Sequence, residues 1–283
     1  MWHAFRVAFP LRSPLHVGWR TTGNLKQTRP YLIGRSFWGA LTARVARDLL
    51  DGDYREADIQ VRRNVVHTYF YPSVNPDRVD LWPWGRDRDR FAWLHLDSFS
   101  STALVDGRAK LDGSLHETEL IAPVARDGSP VWLVGYVWYT DAGLKLVSAE
   151  TLGRLQFGGE RGYGWGRVSR PSIEPLCSSD LLFGLWRWAE EQGQIVVRPP
   201  ASERVPVVAH VAIDEAGSAE ARNGRVEALV GRLTTDSRRL QFGGAISAAE
   251  ICLSPGSPSS AGYSIGSFGI WRGPISRQLS GPI

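Results

Sequence analysis

Residues 155–168, read as LQFGGERGYGWGRV and called the glycine loop below, carry the most chemically suggestive pattern in the sequence. Glycine leaves the backbone N–H groups accessible to phosphate oxygens. The guanidinium group of arginine binds phosphates in a bidentate manner, and aromatic rings stack on bases. The loop combines all three residue types: Gly158, Gly159, Gly162, Gly164 and Gly166, then Arg161 and Arg167, then Tyr163 and Trp165. The pattern predicts a contact with a phosphodiester chain, and its structural alternative is a glycine-rich hairpin with inward aromatics.

Other phosphate and metal motifs are absent from the sequence. The dinucleotide pattern GxGxxG fails at Arg167 and Ser169, and no lysine follows a glycine as a Walker A motif requires. The segment His116-Glu117-Thr118-Glu119-Leu120 lacks the second histidine of a zinc protease. Cys177 and Cys252 lie far apart, which favours buried free thiols over a disulfide or a zinc site. We therefore expect no cofactor and no metal.

The distribution of charge favours a polyanionic partner. The chain of 283 residues has a net charge of +4 and an isoelectric point near 9.3. Residues 1–47 hold eight basic residues and no acidic one, so this segment carries +8 and the other 236 residues carry −4. A basic first part on a mildly acidic protein is typical of a nucleic-acid footprint. Eleven per cent of residues are aromatic, enough to supply base-stacking side chains as well.

Several elements must position these residues. Residues 3–9 alternate as a strand, with His3, Phe5, Val7 and Phe9 on one face and Arg6 on the other. A polar loop is expected over 19–30. Ser36 is the expected N-cap of a helix that buries Phe37, Leu41, Val45 and Leu49 and ends at Gly52.

Further elements complete a domain over 1–170. Residues 53–112 read as an irregular insertion centred on 82–90, whereas 115–120 and 131–139 read as strands. A short helix from Ser148, with Leu152 and Leu155 inward, leads into the glycine loop, whose end at 163–168 should re-enter the sheet. The fold class is α+β, with the β-α-β-β-α-β order of ferredoxin-like and RNA-recognition domains.

A second domain is expected over 171–283, after a linker at 171–175. It should contain a helix from Ser179 to about Glu191, strands near 205–213 and 226–233, and a tail rich in glycine, serine and proline. The pentapeptide LQFGG of residues 155–159 recurs at 240–244, and the segment 95–115 has a loose counterpart at 210–226. These echoes predict a degenerate, β-rich relative of the first domain.

The expected compartment is the cytoplasm. The sequence has no apolar run of about 18 residues and no basic-then-apolar start typical of a secretion signal. We therefore expect neither a membrane span nor export.

Three motifs in order over residues 5–168 resemble the RAMP superfamily of CRISPR-associated RNA-binding proteins. Residues 13–18, SPLHVG, with 31–41, YLIGRSFWGAL, resemble the family's first strand and the opening of its first helix. Residues 113–119, GSLHETE, resemble the strand before its palm sheet, and 152–168 resemble its glycine-rich loop. After residue 175 the resemblance is faint.

The resemblance implies a guide-RNA-binding subunit of an effector complex in antiviral defence. One large RAMP domain with a degenerate second domain is most similar to the subunit that caps the guide's 5′ handle in a type III or type III-derived complex. Its implied partners are the guide RNA, RAMP backbone subunits, and a large or nuclease subunit. The implied RNA-binding residues are Arg6, Arg12, His16, Arg20, Lys26, Arg29, Arg35, Ser36, Gly158, Gly159, Arg161, Gly162, Tyr163, Gly164, Trp165, Gly166 and Arg167. Residues 19–30 or the segment 53–112 would contact a backbone subunit.

Two other functions compete with this one. Cutting backbone subunits of the family depend on an acidic residue after the first strand, and residues 18–30 contain no carboxylate, so we expect no catalytic residue. A processing endoribonuclease instead needs a general base and an acid, which His3 and His16 could supply with Tyr31 or Tyr163 as partners. The third candidate is an assembly protein whose twelve tryptophans and eight tyrosines form protein interfaces.

Overall fold

The computed structural model describes residues 1–77, 79, 84, 87–105, 109–110, 114–200, 204–213, 224–233 and 245–275. The chain forms two compact units, Met1–Leu176 and Cys177–Ile283. The expected linker at 171–175 is in fact an edge strand, because Ser172–Pro175 pairs with the first strand of the chain. The first unit therefore extends beyond residue 170.

In its described residues, the first unit contains five α-helices and two main sheets. In chain order the elements are β1 (Trp2–Pro10), β2 (Gly18–Thr22), β3 (Leu25–Thr28), α1 (Gly34–Leu49), α2 (Tyr54–Asn64), β4 (Val65–His67), β5 (Tyr71–Ser73), α3 (Arg88–His95), β6 (Leu96–Ser101), β7 (Leu104–Val105), β8 (Ala109–Lys110), β9 (His116–Ile121), β10 (Trp132–Thr140), α4 (Asp141–Leu146), α5 (Ala149–Gly153) and β11 (Ser172–Pro175).

The larger sheet has the order β11-β1-β10-β4, with β5 also paired to β10, and every pairing is antiparallel. A second sheet has the order β2-β3-β9-β6, in which β3 and β9 run parallel. The strands predicted at 115–120 and 131–139 are β9 and β10. The unit is a mixture of α and β elements, as the sequence predicts.

The core of the first unit lies between the larger sheet and helix α1. The predicted alternation of β1 is confirmed, because Val7 and Phe9 are fully buried and Phe5 packs against the same core. Helix α1 contributes Phe37, Leu41 and Val45, all fully buried. Burial of a large apolar side chain contributes about 1.5 to 3 kcal/mol to folding.

Two details of α1 differ from the prediction. The helix begins at Gly34, with Ile33 as its N-cap, so Ser36 lies inside the first turn. Leu49 is 54% exposed. Steps of four residues advance about 40° beyond a full turn, so Leu49 has rotated about 120° away from Phe37. Gly52 follows the helix end with a positive φ of 86°.

The segment 53–112 is not an irregular insertion. Helix α2 is capped by the Asp53 side chain, which accepts hydrogen bonds from the backbone N–H groups of Arg55 and Glu56. Strands β4 and β5 then enter the larger sheet. The helix was missed because its buried apolar face holds only Ala57 and Val61 among charged residues. In the predicted centre of the insertion, 82–90, residues 82, 83, 85 and 86 lie outside the described residues.

The expected polar loop at 19–30 is a β-hairpin instead. Strands β2 and β3 pair through Thr22 and Leu25, and Gly23 has a φ of 58° between them. A two-residue Gly-Asn connection is a favoured hairpin turn, and this signal outweighs the polar composition. The hairpin joins the second sheet through β9.

The short helix before the glycine loop is confirmed. Helix α5 is capped by the Ser148 side chain, and Leu152 and Leu155 are buried. The predicted return to the sheet at 163–168 consists only of isolated bridges, Gln156 with Arg167 and Leu11 with Val168, and the strand that pairs with β1 is β11.

The second unit is built from strands in its described residues. They are β12 (Arg187–Glu191), β13 (Gln194–Arg198), β14 (Val205–Pro206), β15 (Val211–Ala212), β16 (Val226–Leu233), β17 (Ala245–Leu253), β18 (Pro258–Ser259), β19 (Gly262–Ile265) and β20 (Trp271–Ile275). A seven-stranded sheet has the order β12-β13-β19-β20-β15-β17-β16, and Trp186, Tyr263 and Trp271 are fully buried within the unit.

Several expectations for the second unit are corrected. The helix predicted at 179–191 is a turn followed by β12, because Phe183 and Gly184 have φ values of 54° and 70°, which an α-helix cannot contain. The expected tail forms strands β17–β20, and the strand expected at 205–213 is only β14 and β15. Strand β16 confirms the prediction at 226–233. The second LQFGG, at 240–244, lies outside the described residues.

Two further properties bear on the expectations. Both cysteines are free, but Cys177 is exposed and only Cys252 is buried. None of the described helices is long and apolar enough to cross a membrane.

Candidate nucleic-acid interface

The base of the glycine loop is fastened to the segment between β1 and β2. Backbone hydrogen bonds join the loop to residues 12–16 and close its base. They run from Phe157 N to Gly166 O (2.8 Å), Gly166 N to Pro14 O (2.7 Å), Arg12 N to Arg167 O (2.8 Å) and Gly159 N to His16 O (2.8 Å). The Arg167 N–H also donates to the Ser13 hydroxyl at 2.9 Å. The loop is therefore held in one conformation at its base.

Two of the five glycines are required by this fastening. Gly158 and Gly166 have φ values of 72° and 74°, and a Cβ at these positions would overlap the carbonyl oxygens of His16 and Phe157. By contrast, a Cβ at Gly162 would meet nothing within 4 Å. The glycine pattern thus has two origins: close internal packing at the base and open backbone at the tip.

The tip of the loop lies over one face of the second sheet. Lys26 and Phe99 both pair with Thr118, from the neighbouring strands β3 and β6, so the three side chains share that face. The Lys26 Nζ lies 3.6 Å from the Glu160 Oε1, and the Phe99 and Trp165 rings meet edge to face with centroids 6.1 Å apart. Two contacts with different strands therefore fix the tip.

The side chain of Gln156 braces the loop from within. Its Nε2 donates to the carbonyl oxygens of Arg161 at 3.1 Å and Trp165 at 2.8 Å. Residues 161–163 form a single turn of 3-10 helix, which Glu160 precedes in the left-handed conformation. The backbone at the tip is thus ordered before any ligand arrives.

The outer surface of the loop is positively charged. Arg12, Arg161 and Arg167 are exposed and form no ion pair with any described residue. The Arg167 guanidinium lies over Gly164, about 3.7 Å from where a Cβ would stand. Tyr163 is 84% exposed beside them. Three cations and one aromatic ring on fixed backbone can bind phosphates and a base.

His16 is buried beneath the loop and does not lie on its outer surface. Its Nδ1 donates to the Glu119 carbonyl at 2.7 Å, so the Nε2 of the neutral ring is the acceptor. The ring lies beside Gly18 and Gly159. His16 therefore links the loop to strand β9 through both its ring and its carbonyl.

The β2–β3 hairpin places two more of the predicted residues around Trp19. The Arg20 guanidinium lies 4.2 Å from the centre of the Trp19 ring and its Nε donates to Gln27 at 2.6 Å. Arg29 is buried, 6.0 Å from the same ring. This hairpin is attached to the loop tip through Lys26.

Three predicted residues lie elsewhere. Arg6 on β1 binds Asp77, with Nη2 2.7 Å from the carboxylate and Nη1 2.8 Å from the carbonyl. Arg35 and Ser36 occupy the first turn of α1, both half-buried. Phe37, which follows them in α1, packs against the loop base, with its ring centroid 6.1 Å from that of Phe157.

The two candidate catalytic histidines lie at opposite ends of β1. His3 Nε2 contacts the Asp141 carboxylate at 2.7 Å, where α4 begins. Seven residues of strand separate His3 from Pro10, about 23 Å at 3.3 Å per residue, and His16 lies beyond that end. Tyr31 is buried and stacked on Tyr69 at 5.9 Å. His3 therefore contacts α4, whereas His16 contacts β9.

Comparisons with known proteins bear on the fold. No protein-family model and no curated protein matches the sequence. A chain in the cryo-EM structure of type III-B Cmr-beta bound to cognate target RNA and AMPPnP, state 1, is 12% identical, with a TM-score of 0.50 over 89% of this chain and 85% of that one. The two chains share a fold. A chain of type III-B Cmr-beta bound to cognate target RNA is 14% identical, with a TM-score of 0.39 over 62% and 61%.

Sequence reasoning missed Phe99, Glu160, Gln156 and Ser13 as parts of this site. Phe99 lies in β6, within a segment that reads as irregular, and its contact with the loop joins residues far apart in the chain. A polar side chain that braces a loop has no periodic signal. In the described part of the chain, no group of histidine, cysteine, aspartate and glutamate side chains is placed to hold a metal ion.

Proposed function

We propose that this protein is an RNA-binding subunit of a type III CRISPR effector complex, and that the glycine loop holds the 5′ handle of the guide RNA. One observation carries the proposal: a fastened loop that exposes Arg161 and Arg167, with Arg12 beside them and without acidic partners among the described residues. A single-stranded phosphodiester chain complements such a surface.

The fold supports the same proposal. The order β11-β1-β10-β4, with helices between β1 and β4 and between β10 and β11, matches the ferredoxin-like arrangement expected for a RAMP domain. The likeness to a chain from type III-B Cmr-beta bound to cognate target RNA points in the same direction. By this proposal the second unit is a diverged RAMP-like domain, and the partners are backbone subunits and a large or nuclease subunit.

The proposed subunit binds RNA without cutting it. Residues 18–30 contain no carboxylate, and the two histidines that could form an acid–base pair are separated by the length of β1. A 5′-labelled repeat RNA incubated with the protein in EDTA and crosslinked by ultraviolet light should stay full-length. A shortened labelled product would instead assign crRNA processing to this chain.

The decisive test is the salt dependence of guide binding. Each phosphate contact on single-stranded RNA contributes about 0.7 to the slope of log K against log salt concentration. Arg161→Gln with Arg167→Gln should therefore reduce the slope by about 1.4 and weaken binding at low salt. The matched control is Arg55→Gln with Arg63→Gln, which removes the same charge from exposed positions on α2.

The outcomes separate the candidate functions. Equal losses for both double variants would show that only net charge matters, and would overturn the loop as the RNA site. Full guide retention by the loop variant, with loss of assembly on tryptophan substitution, would favour the protein-interface function.

A further inference from the structure

An exposed aromatic side chain on strand β6 faces the tip of the glycine loop. Phe99 is 56% exposed, and its ring meets Trp165 edge to face at 6.1 Å with an interplanar angle of 80°. Tyr163, 84% exposed, lies two residues before Trp165. Single exposed apolar residues are common on protein surfaces. Phe99, Trp165 and Tyr163 together form a larger aromatic surface at the loop tip, which indicates a ligand-binding site.

The pair of rings is held rigidly. Phe99 extends from a strand paired along its length with β9, and the Trp165 backbone carbonyl accepts a hydrogen bond from Gln156. The loop base is fastened at residues 158 and 166 by the packing described above. A preorganised aromatic surface loses little conformational entropy when a planar ligand stacks on it.

The charges around the rings indicate which planar ligand fits. Arg161 and Arg167 flank Trp165 in the loop, both exposed and without ionic partners among the residues that the structure describes. Cations beside a stacking surface match the phosphates that flank one nucleotide of a single strand. Aromatic residues and arginine are also common in protein interfaces, so a protein partner is the outcome that the test below must separate from RNA.

We propose that the ring face of Phe99 stacks one unpaired base of the bound RNA, with Trp165 set at a steep angle beside it, while the loop arginines hold the adjacent phosphates. This inference rests on the proposed function and adds a subsite to it. The subsite accepts any base, because stacking uses the ring face common to all four. Phe99 therefore contributes affinity that depends little on salt, unlike Arg161 and Arg167.

The test places 2-aminopurine at each position of the guide handle in turn and measures its fluorescence with the full chain. Stacking should quench one position in the wild-type complex. Phe99→Ala should restore that signal, weaken binding about 5- to 10-fold and leave the salt slope unchanged. Phe99→Leu, which keeps an apolar side chain but loses the ring face, should behave in the same way. Tyr54→Ala on α2, also an exposed aromatic, is the control and should change nothing.

The failures are distinguishable. If the wild-type protein binds the handle and no position shows quenching that depends on Phe99, the subsite is wrong and the proposed function stands. If Phe99→Ala keeps RNA but loses a partner subunit, the surface is a protein contact and the proposal is overturned. Absence of handle binding by the wild-type chain would reject the proposed function itself.

Discussion

Glu160 lies at the tip of the glycine loop with a backbone φ of 53°, between Gly159 and Arg161. A side-chain-bearing residue in the left-handed region costs about 1 kcal/mol or more relative to an ordinary conformation. Its carboxylate lies 3.6 Å from the Lys26 ammonium, on the surface that we assign to phosphates. By the proposed function, Glu160 would compete with RNA for Lys26.

Replacing this carboxylate should strengthen RNA binding. In Glu160→Gln the backbone conformation is kept and Lys26 loses its partner. Such a surface pair is worth about 0.2 to 1 kcal/mol, so guide affinity at low salt should rise about 1.4- to 5-fold. Fluorescence anisotropy with labelled handle RNA measures the change. Glu150→Gln, which removes an exposed carboxylate from α5, is the control. Weaker binding by Glu160→Gln would mean that the carboxylate itself orders the loop for RNA.

Residue types predicted the charged part of this surface but not its geometry. Arg161, Tyr163 and Arg167 were predicted from residue type, because arginine and tyrosine in a glycine-rich loop are typical of a phosphate- and base-binding surface. The structure exposes all three. His16 was predicted to bind RNA, but the structure buries it, and its ring bonds to the carbonyl of Glu119, far along the chain. Phe99 has no local signal, since its importance comes from a contact across the fold.

At the scale of elements, the glycines of the loop have two different environments. Those at the base, Gly158 and Gly166, are closely packed against backbone, whereas Gly162 at the tip has free space around it. Alanine at residue 166 or 158 would place a Cβ against a backbone carbonyl in a left-handed conformation. Alanine at residue 162 meets no obstacle. A glycine-to-alanine substitution should therefore destabilise the protein at residue 158 or 166 and have little effect on stability at residue 162.

Gly166→Ala should destabilise the first unit by about 2 kcal/mol or more, because strain and overlap combine. Gly162→Ala is the matched control and should change the free energy of unfolding by less than about 0.5 kcal/mol. Urea denaturation of the full chain, followed by tryptophan fluorescence, measures both. Equal stability of the two variants would show that the loop base can relax around a side chain.

Elements with strong apolar periodicity were predictable, and those specified by turns or by sparse apolar faces were not. Strand β10 follows its apolar pattern because most of its length is buried, and β1 follows its own because Val7 and Phe9 are buried in the core. Helix α2 buries only Ala57, Val61 and Asn64, too few to give a signal. In the second unit, left-handed residues 183 and 184 break what reads as an amphipathic helix. Tertiary contacts decided these cases.

At the scale of the whole molecule, the basic first part of the chain is only partly available to a polyanion. Arg6 pairs with Asp77, Arg44 with Asp48, and Lys26 with Glu160. The sum of +8 over residues 1–47 therefore overstates the free positive charge. Summed charge predicts a polyanionic partner, whereas folding decides which cations remain exposed.

The first unit should lose stability in mild acid because of His67. This side chain is buried beside the Phe37 ring, 4.7 Å between centroids, and burial lowers its pKa from 6.5 to about 4, although its hydrogen bond to the Thr68 carbonyl opposes the shift. At pH values between about 4 and 6.5, His67 is therefore protonated in the unfolded chain but not in the folded chain. Stability should fall by up to about 3 kcal/mol as pH decreases from 6.5 to 4.

His67→Gln, which cannot titrate, should remove this dependence. The measurement is the urea midpoint at pH 7.5 and pH 5, with His116→Gln at a half-exposed position as the control. The control should keep the wild-type difference between the two pH values. An unchanged difference in His67→Gln would show that other groups cause the acid sensitivity.

The close packing at Gly158 and Gly166 also has an evolutionary consequence. A descendant of this chain that did not bind RNA would still need both glycines to fold, because backbone carbonyl oxygens of the same chain lie where their side chains would be. In such a descendant, substitutions at Gly162 and at the arginines around it would not impair folding. In diverged relatives, retention of the two base glycines alone would therefore mark common ancestry of the fold, and retention of the tip would mark continued selection for binding.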